Sequence, residues 1–465
     1  MEKSAIQISM RFPRLLKVER GRWLPAAAAF ASIAVIACGG GDDESASPGS
    51  QPTAAATPTP TAAAIATPTS TAEPGAVETP TATASASGTG GQVSELPQPP
   101  SGPPPPLDFE TRIVDLNKIV FDTFNGGSVR LADASLELIE QLRDAIQPIY
   151  TPVYDSVAGG DWMGDDDLVV GYEAGGEAFA YPVKMLNFHE LVNDIIDGVP
   201  VLITWCPLCG SGVVYDRRLG DTTHLFGNTS ALFENDLVMF DYETGSFWFQ
   251  TAAEAIVGPL SGSRLKPLSA TTITWGKWKE INPDTRVLAR IQPEIIRPPD
   301  YSRDPFAGGA YAARLDDLKF PFPTTLTDID DRLRPSEIAI SIAIGTAEKA
   351  YSLEQLGDAV VNDEFLGRPV VVFSEQRGPN GNGFSRLLGD VTLTFRLDGD
   401  RILDDQTNSE WDFSGTAISG ELEGETLELL TARRAFWFSL AFAVPGIELY
   451  EPDVSGPDVS GLHGD

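Results

Sequence analysis

Val199-Pro200-Val201-Leu202-Ile203-Thr204-Trp205 runs without a break into Cys206-Pro207-Leu208-Cys209-Gly210-Ser211-Gly212, followed by Val213-Val214-Tyr215-Asp216-Arg217. Two apolar, β-branched runs around a short Pro/Gly segment read as buried strands joined by a turn that carries two thiols. Pro369-Val370-Val371-Val372-Phe373 is a second run of the same kind, and Asp236 to Gln250 reads as a hairpin turning at Glu243-Thr244-Gly245-Ser246. Leu260-Ser261-Gly262 and Leu422-Glu423-Gly424 read as tight turns between strands. Helical spacing is confined to Ser135–Gln147, where Leu136, Ile139, Leu142 and Ile146 recur, with a short helix expected over Val183 to Ile196. The expected fold class is α+β, dominated by antiparallel β-sheet.

Working outward, the chain can be laid over itself. Thr244-Gly245-Ser246-Phe247-Trp248 corresponds to Thr407-Asn408-Ser409-Glu410-Trp411, and Ala255 to Leu268 corresponds to Ala417 to Leu430. The register holds without a gap through Trp275 and Trp437 to Pro283 and Pro445. Upstream, Ala180-Tyr181 matches Ala350-Tyr351, Val192-Asn193-Asp194 matches Val361-Asn362-Asp363, and Gly198 to Pro200 matches Gly367 to Pro369. A collinear series of this length points to tandem duplication of one β-rich unit with pseudo-symmetric packing. The expected organisation is a first repeat with its connector over 107–335, a degenerate second repeat over 336–450 and a flexible tail over 451–465. In this register Cys206 falls on Glu375, Cys209 on Gly378 and His189 on Asp358, so the second repeat lacks soft ligands. It reads as a structural partner in which Trp411 and Trp437 are sensitive to substitution and Glu375 is indifferent.

The N-terminus carries an address. Arg11, Arg14, Lys17, Arg20 and Arg22 precede the apolar stretch Leu24 to Ala37, too short to span a bilayer comfortably. Val35-Ile36-Ala37-Cys38 resembles a lipobox, which implies a signal peptide over 1–37 and a lipidated Cys38 at the mature N-terminus. Residues 39–106, built of Ala, Thr, Pro, Ser and Gly, bury too little to offset chain entropy and read as a disordered linker. The expectation is an extracytoplasmic protein anchored to a bacterial membrane. A net charge of -33 argues against nucleic acid as a partner. The membrane, reached through the lipid, is the one partner the sequence names.

Outside Cys38, both cysteines and two of the three histidines fall between His189 and His224. Cys-x-x-Cys followed by Gly has the form of a metal knuckle, because two thiolates three positions apart converge on one ion. A single knuckle needs further ligands, and His189 and His224 are the candidates; such a set suits zinc or copper(I). Three protein ligands with an open position would give a metal-dependent enzyme, with Glu190 or Asp194 relaying protons. Trp205-Cys206-Pro207-Leu208-Cys209 also suits thiol–disulfide exchange, although a β-branched segment follows where a helix would stabilise the thiolate. An inert disulfide, closing only a four-residue loop, is the third reading.

The neighbouring polar residues divide between site and scaffold. Glu190 reads as solvated, Asn193 and Asp194 as capping or turn residues, and Asp216 with Arg217 as a strand-end ion pair. Asp241, matched by Asp404, and Trp248, matched by Trp411, read as scaffold and core, whereas Gln250 aligns with Phe413 and belongs to the functional repeat. There is no Ser-His-Asp order, phosphate-cradling Gly loop or His-Glu-x-x-His motif; Asn193 stands where the last of these would place its second histidine.

Together, Tyr181-Pro182, His189-Glu190-Leu191-Val192-Asn193-Asp194, Cys206 to Ser211, Asp216-Arg217, Phe226-Gly227, Leu237-Val238-Met239-Phe240-Asp241 and Ser246-Phe247-Trp248-Phe249-Gln250 resemble the bacterial family of domain of unknown function 3179. The resemblance continues through Tyr301-Ser302-Arg303-Asp304-Pro305 and Asp331-Arg332-Leu333, over about residues 165 to 450. It implies an exported or membrane-attached protein and no particular activity. The expected function is therefore binding of a transition metal by His189, Cys206, Cys209 and His224 in a lipid-anchored protein.

Overall fold

A computed structural model describes residues 98–452 apart from 103, 307–308 and 327–328. The signal segment, Cys38, most of the linker and nearly all of the tail lie outside the described residues.

Val199–Cys206 forms a strand, paired antiparallel with Leu191–Ile196 on one side and Ser211–Asp216 on the other. Its side chains alternate between two cores. Val201, Ile203 and Trp205 pack with Val170, Tyr181 and Val192, whereas Leu202 and Cys206 pack with Val213, Phe226, Leu237 and Trp248. A strand buried on both faces needs a continuous apolar run, which is what the sequence supplies.

Two helices are shorter than their spacing predicts. The helix Val183–His189 ends where Glu190 takes a φ of 59°, and Leu191–Ile196 is a strand rather than its continuation. Pairing with Val199–Thr204 outweighs helical spacing in this β-branched segment. The helix Leu136–Leu142 is capped by Ser135, whose hydroxyl accepts from the Leu138 amide. It stops before Gln147 because Asp144, at a φ of 52°, donates its amide to the Asn228 carbonyl at 2.8 Å.

The described chain is strand-rich and its sheets are mostly antiparallel. Ala270–Thr274, Leu168–Ala174, Glu177–Pro182 and Arg286–Leu288 lie side by side, the last pair parallel. Ala432–Phe436, Ile338–Ile344, Ala347–Ser352 and Glu448–Leu449 follow the same order and directions. Phe226–Phe233, Asp236–Asp241, Phe247–Phe249 and Glu254–Val257 form a meander, and so do Phe395–Asp398, Arg401–Asp404, Glu410–Trp411 and Ala417–Ser419. The last pair of each meander shifts register beside a tryptophan, Trp248 or Trp411.

The N-terminal and C-terminal halves interlock. Ala432–Phe436 joins Ser211–Asp216 through the Arg434–Gly212 pair, extending one sheet to eight strands. A Cβ at Gly212 would stand 2.7 Å from Val170 and 2.8 Å from Thr272, so the close approach of sheets here requires glycine. On the other side, Asn380 accepts from the Thr274 amide at 2.9 Å and Asn382 from the Thr271 hydroxyl at 2.5 Å. One core accordingly mixes Ile273, Trp275 and Trp278 with Phe373, Phe384, Trp411 and Phe413. Glu375 forms an ion pair with Lys277 at 2.9 Å across this seam. Among the described residues no helix is long and apolar enough to cross a membrane.

Candidate functional site

The turn after Val199–Cys206 is held from several sides. Cys209 donates its amide to the Cys206 carbonyl at 3.2 Å, and Gly210 takes a φ of 59°, which frees the chain to enter Ser211–Asp216. Phe436 donates its amide to the Cys209 carbonyl at 2.8 Å, and the Tyr311 hydroxyl donates to the Leu208 carbonyl at 2.7 Å. Both thiols are free and fully buried, with their Sγ atoms 2.6 Å apart.

The tip of a hairpin completes the pocket. Glu234 and Asn235, at φ values of 51° and 73°, turn Phe226–Phe233 back into Asp236–Asp241. This places the Asn235 carbonyl 3.5 Å from Cys209 Sγ and an oxygen of Asp236 within 4.8 Å of both sulfurs. Asp236 Oδ2 accepts from Thr251 and from Ser439 of the helix Trp437–Ala443, each at 2.7 Å. Asp236 Oδ1 is buried and has no hydrogen-bond partner. Gln250 continues the polar network, donating Nε2 to the Thr204 hydroxyl at 2.7 Å and accepting from Ser211 at 3.0 Å. Burial pushes the Asp236 carboxyl up to about 6 and raises both thiols, Cys209 the further. At neutral pH the two thiols therefore keep their protons, while the carboxyl is mostly ionised. Two thiols and a carboxylate with an unused oxygen are a donor set that fits a borderline or soft cation.

The four expected ligands are not gathered into one set. His189 lies in a different core, where Tyr301 donates to Nε2 at 2.6 Å and Nδ1 donates to the Gln147 carbonyl at 2.7 Å. With both ring nitrogens engaged it has no free donor for an ion. Burial holds its imidazole down to about 4, against an ordinary 6.5. Between those values the unfolded chain takes up a proton that the folded chain does not. Stability is therefore complete above pH 6.5 and falls as pH drops to 4, by on the order of 3 kcal/mol. His189→Gln is expected to flatten this acid limb in urea titrations at pH 4.5 and 7. An unchanged slope would remove the assignment.

His224 belongs to a second cluster, with Asp241 and Glu243. Burial disfavours its charge, but the two carboxylates facing Nδ1 outweigh this and raise the imidazole to about 9. Asp241 is also the acceptor for Trp248 Nε1 at 2.9 Å, as Asp404 is for Trp411 at 3.0 Å.

The remaining candidates have structural partners. Asp216 is paired by Arg218, not Arg217, at 2.6 Å, and Arg217 turns inward instead. Asn193 is neither cap nor turn residue: from mid-strand it donates to the Phe226 carbonyl at 2.9 Å and accepts the Phe226 amide at 3.0 Å. Asp194, in the same strand, accepts from Tyr181 at 3.3 Å and from Tyr154. Glu190 is partly buried; it accepts from Asn228 at 2.5 Å, and burial raises its carboxyl to about 7. Asp236, Asn235, Thr251 and Ser439 were missed from the sequence. Asp236 alone left a signal there, since Gly399 holds its place, five residues before Asp404.

Comparisons with known proteins agree with the resemblance carried by these motifs. No match was found among the curated proteins or the solved structures. Residues 143–445, which include every residue of both clusters, match one family: the chain belongs to the family described as Protein of unknown function (DUF3179).

Proposed function

We propose that the chain is a lipid-anchored extracytoplasmic protein that holds one transition-metal ion, zinc or copper(I), between Cys206, Cys209 and Asp236. Asp236 Oδ1 carries this assignment: it is a buried acceptor that completes no hydrogen bond, although the Cys209 thiol and the Leu237 amide lie beside the carboxyl. Leaving such an atom unpaired costs about 1–3 kcal/mol, which a bound cation would offset. The ion would displace protons from the two thiols, so affinity should rise with pH. Thr251 and Ser439 fix the other carboxylate oxygen and orient the ligand, and the Asn235 carbonyl offers a fourth donor. Full enclosure favours a closed, structural or storage site over a catalytic one, which keeps a position open to water. The Leu24 to Cys38 segment supports the anchor.

The two halves are best explained as a tandem duplication with one functional copy. Arg217 and Arg386 each donate to three backbone carbonyls at matching positions, and Asn193 and Asn362 each clamp a phenylalanine backbone. In the aligned sequence Glu375 takes the place of Cys206 and Lys277 the place of Ser439. Their ion pair fills in the second copy the position that the ion would hold in the first.

The sulfur separation favours one alternative. Two thiolates on a zinc ion with bonds of about 2.3 Å stand about 3.7 Å apart, whereas these atoms are 2.6 Å apart. An ion must spread them, and a disulfide must close them. Thiol exchange with a partner is disfavoured, because neither sulfur is reachable and strands flank the turn on both sides. Elemental analysis of tag-free mature protein, with thiol alkylation after denaturation, separates the readings. Two alkylatable thiols are expected, with zinc or copper falling by one equivalent per chain in Cys206→Ser/Cys209→Ser. Blocked thiols, with the same metal content before and after the double substitution, would establish the disulfide instead.

A further inference from the structure

We propose that His224, Asp241 and Glu243 form a second, separate site for a divalent transition-metal ion of the zinc class, open to solvent. It is independent of the cysteine site. Its geometry begins with the backbone of His224, which donates its amide to the Arg217 carbonyl at 2.9 Å and accepts from Arg217 Nη1 at 2.7 Å. The backbone that carries the ring is thereby fixed. The residue is only 3% exposed, yet its Nδ1 has no hydrogen-bond partner.

Distance decides what that nitrogen does. Nδ1 stands 3.4 Å from Asp241 Oδ1 and 3.4 Å from Glu243 Oε2. An imidazolium bonded to a carboxylate sits at about 2.7–2.9 Å, so neither contact is a formed ionic hydrogen bond. Two donors on one tetrahedral zinc, with bonds of about 2.0–2.1 Å, stand about 3.3–3.4 Å apart. The observed separations are those of ligands around an ion. Both carboxylates are oriented by other bonds, as ligands are. Asp241 accepts from the Thr244 amide at 2.7 Å and from Trp248 at 2.9 Å, and Glu243 Oε2 accepts from the Leu225 amide at 3.0 Å. The Glu243 side chain is 34% exposed, which opens one side of the cluster to water.

The C-terminal half supplies an independent control. There Asp404 keeps the bonds from the turn threonine and the tryptophan, Thr407 and Trp411, so the turn is the same. The carbonyl that accepts from Arg386 belongs to Leu393, in the place of His224. Gln406, in the place of Glu243, accepts from the Thr394 amide at 2.8 Å. The turn therefore folds without an imidazole and without a second carboxylate. His224 and Glu243 are present or absent together, which is expected of two ligands and not of two packing residues.

The test is equilibrium dialysis of the full mature chain against zinc chloride at pH 8, in a Cys206→Ser/Cys209→Ser background that removes the first site. Retention of one zinc per chain is expected, and adding His224→Leu/Glu243→Gln, the residues of the other half, should abolish it. Thermal unfolding confirms that each variant is folded. Glu243→Gln alone, at the exposed ligand, should weaken zinc by about 10-fold or more; in the unsubstituted chain it provides a second measurement should the serine variant fail to fold. Zinc retained undiminished after His224→Leu/Glu243→Gln, absent from a folded serine variant, or bound by the unsubstituted chain equally well with and without Glu243→Gln, would overturn the proposal.

Discussion

Replacing Arg217 by methionine is expected to destabilise the folded chain by about 3–6 kcal/mol. Its guanidinium is buried and donates to the carbonyls of Val201 at 3.0 Å, His224 at 2.7 Å and Asp194 at 3.0 Å. Those three carbonyls belong to three different segments, so one side chain ties the central strand to its neighbour and to the loop before Phe226. Methionine fills the volume of the stem but offers no donor, and each hydrogen bond lost from a charged group is worth about 1.5–3 kcal/mol. Arg386 makes the same three bonds, to Val370 at 2.9 Å, Leu393 at 2.8 Å and Asp363 at 3.2 Å, but is only half-buried. Water can replace part of what it gives. Arg386→Met should therefore cost clearly less. Urea unfolding of the two variants checks both, and a loss below about 1 kcal/mol at Arg217 would contradict the structural role.

The second large effect concerns the halves. Residues 107–335 expressed alone are expected to aggregate or to lack a cooperative unfolding transition. Removing the C-terminal half uncovers Ile273, Trp275 and Trp278, which share a core with Phe373, Phe384 and Trp411. It also strips Ser211–Asp216 of its contact with Ala432–Phe436, and takes Ser439 from Asp236 and the Phe436 amide from Cys209. Burial of one large apolar side chain contributes about 2–3 kcal/mol, so uncovering Ile273, Trp275 and Trp278 costs about 6–9 kcal/mol, comparable to the whole stability of an ordinary domain. A monomeric fragment with native near-ultraviolet circular dichroism and an unchanged melting temperature would show that the halves fold independently.

The strand pair around the cysteines and the hairpin at Asp236–Phe249 were legible because buried strands leave continuous apolar runs and turns leave glycine. The end of the helix at His189 was not, since a positive φ at Glu190 comes from packing and glutamate gives no sign of it. The ligand set was misread for a related reason. Scarcity of histidine made His189 conspicuous, but its partners Gln147 and Tyr301 are distant in sequence and place it in another core. Asp236 could have been found by the same self-comparison that singled out the cysteines. Ser439 could not. It reaches the site only through the interlock of the two halves, which no local pattern encodes.

The most direct measurement is X-ray absorption at the zinc edge on zinc-loaded, reduced mature protein carrying His224→Leu/Glu243→Gln, so that only the cysteine site contributes. Two sulfurs at about 2.3 Å with oxygen ligands at about 2.0–2.2 Å are predicted. A shell of light atoms alone, or a protein that takes up no zinc with both thiols free, would contradict the Cys206–Cys209–Asp236 site.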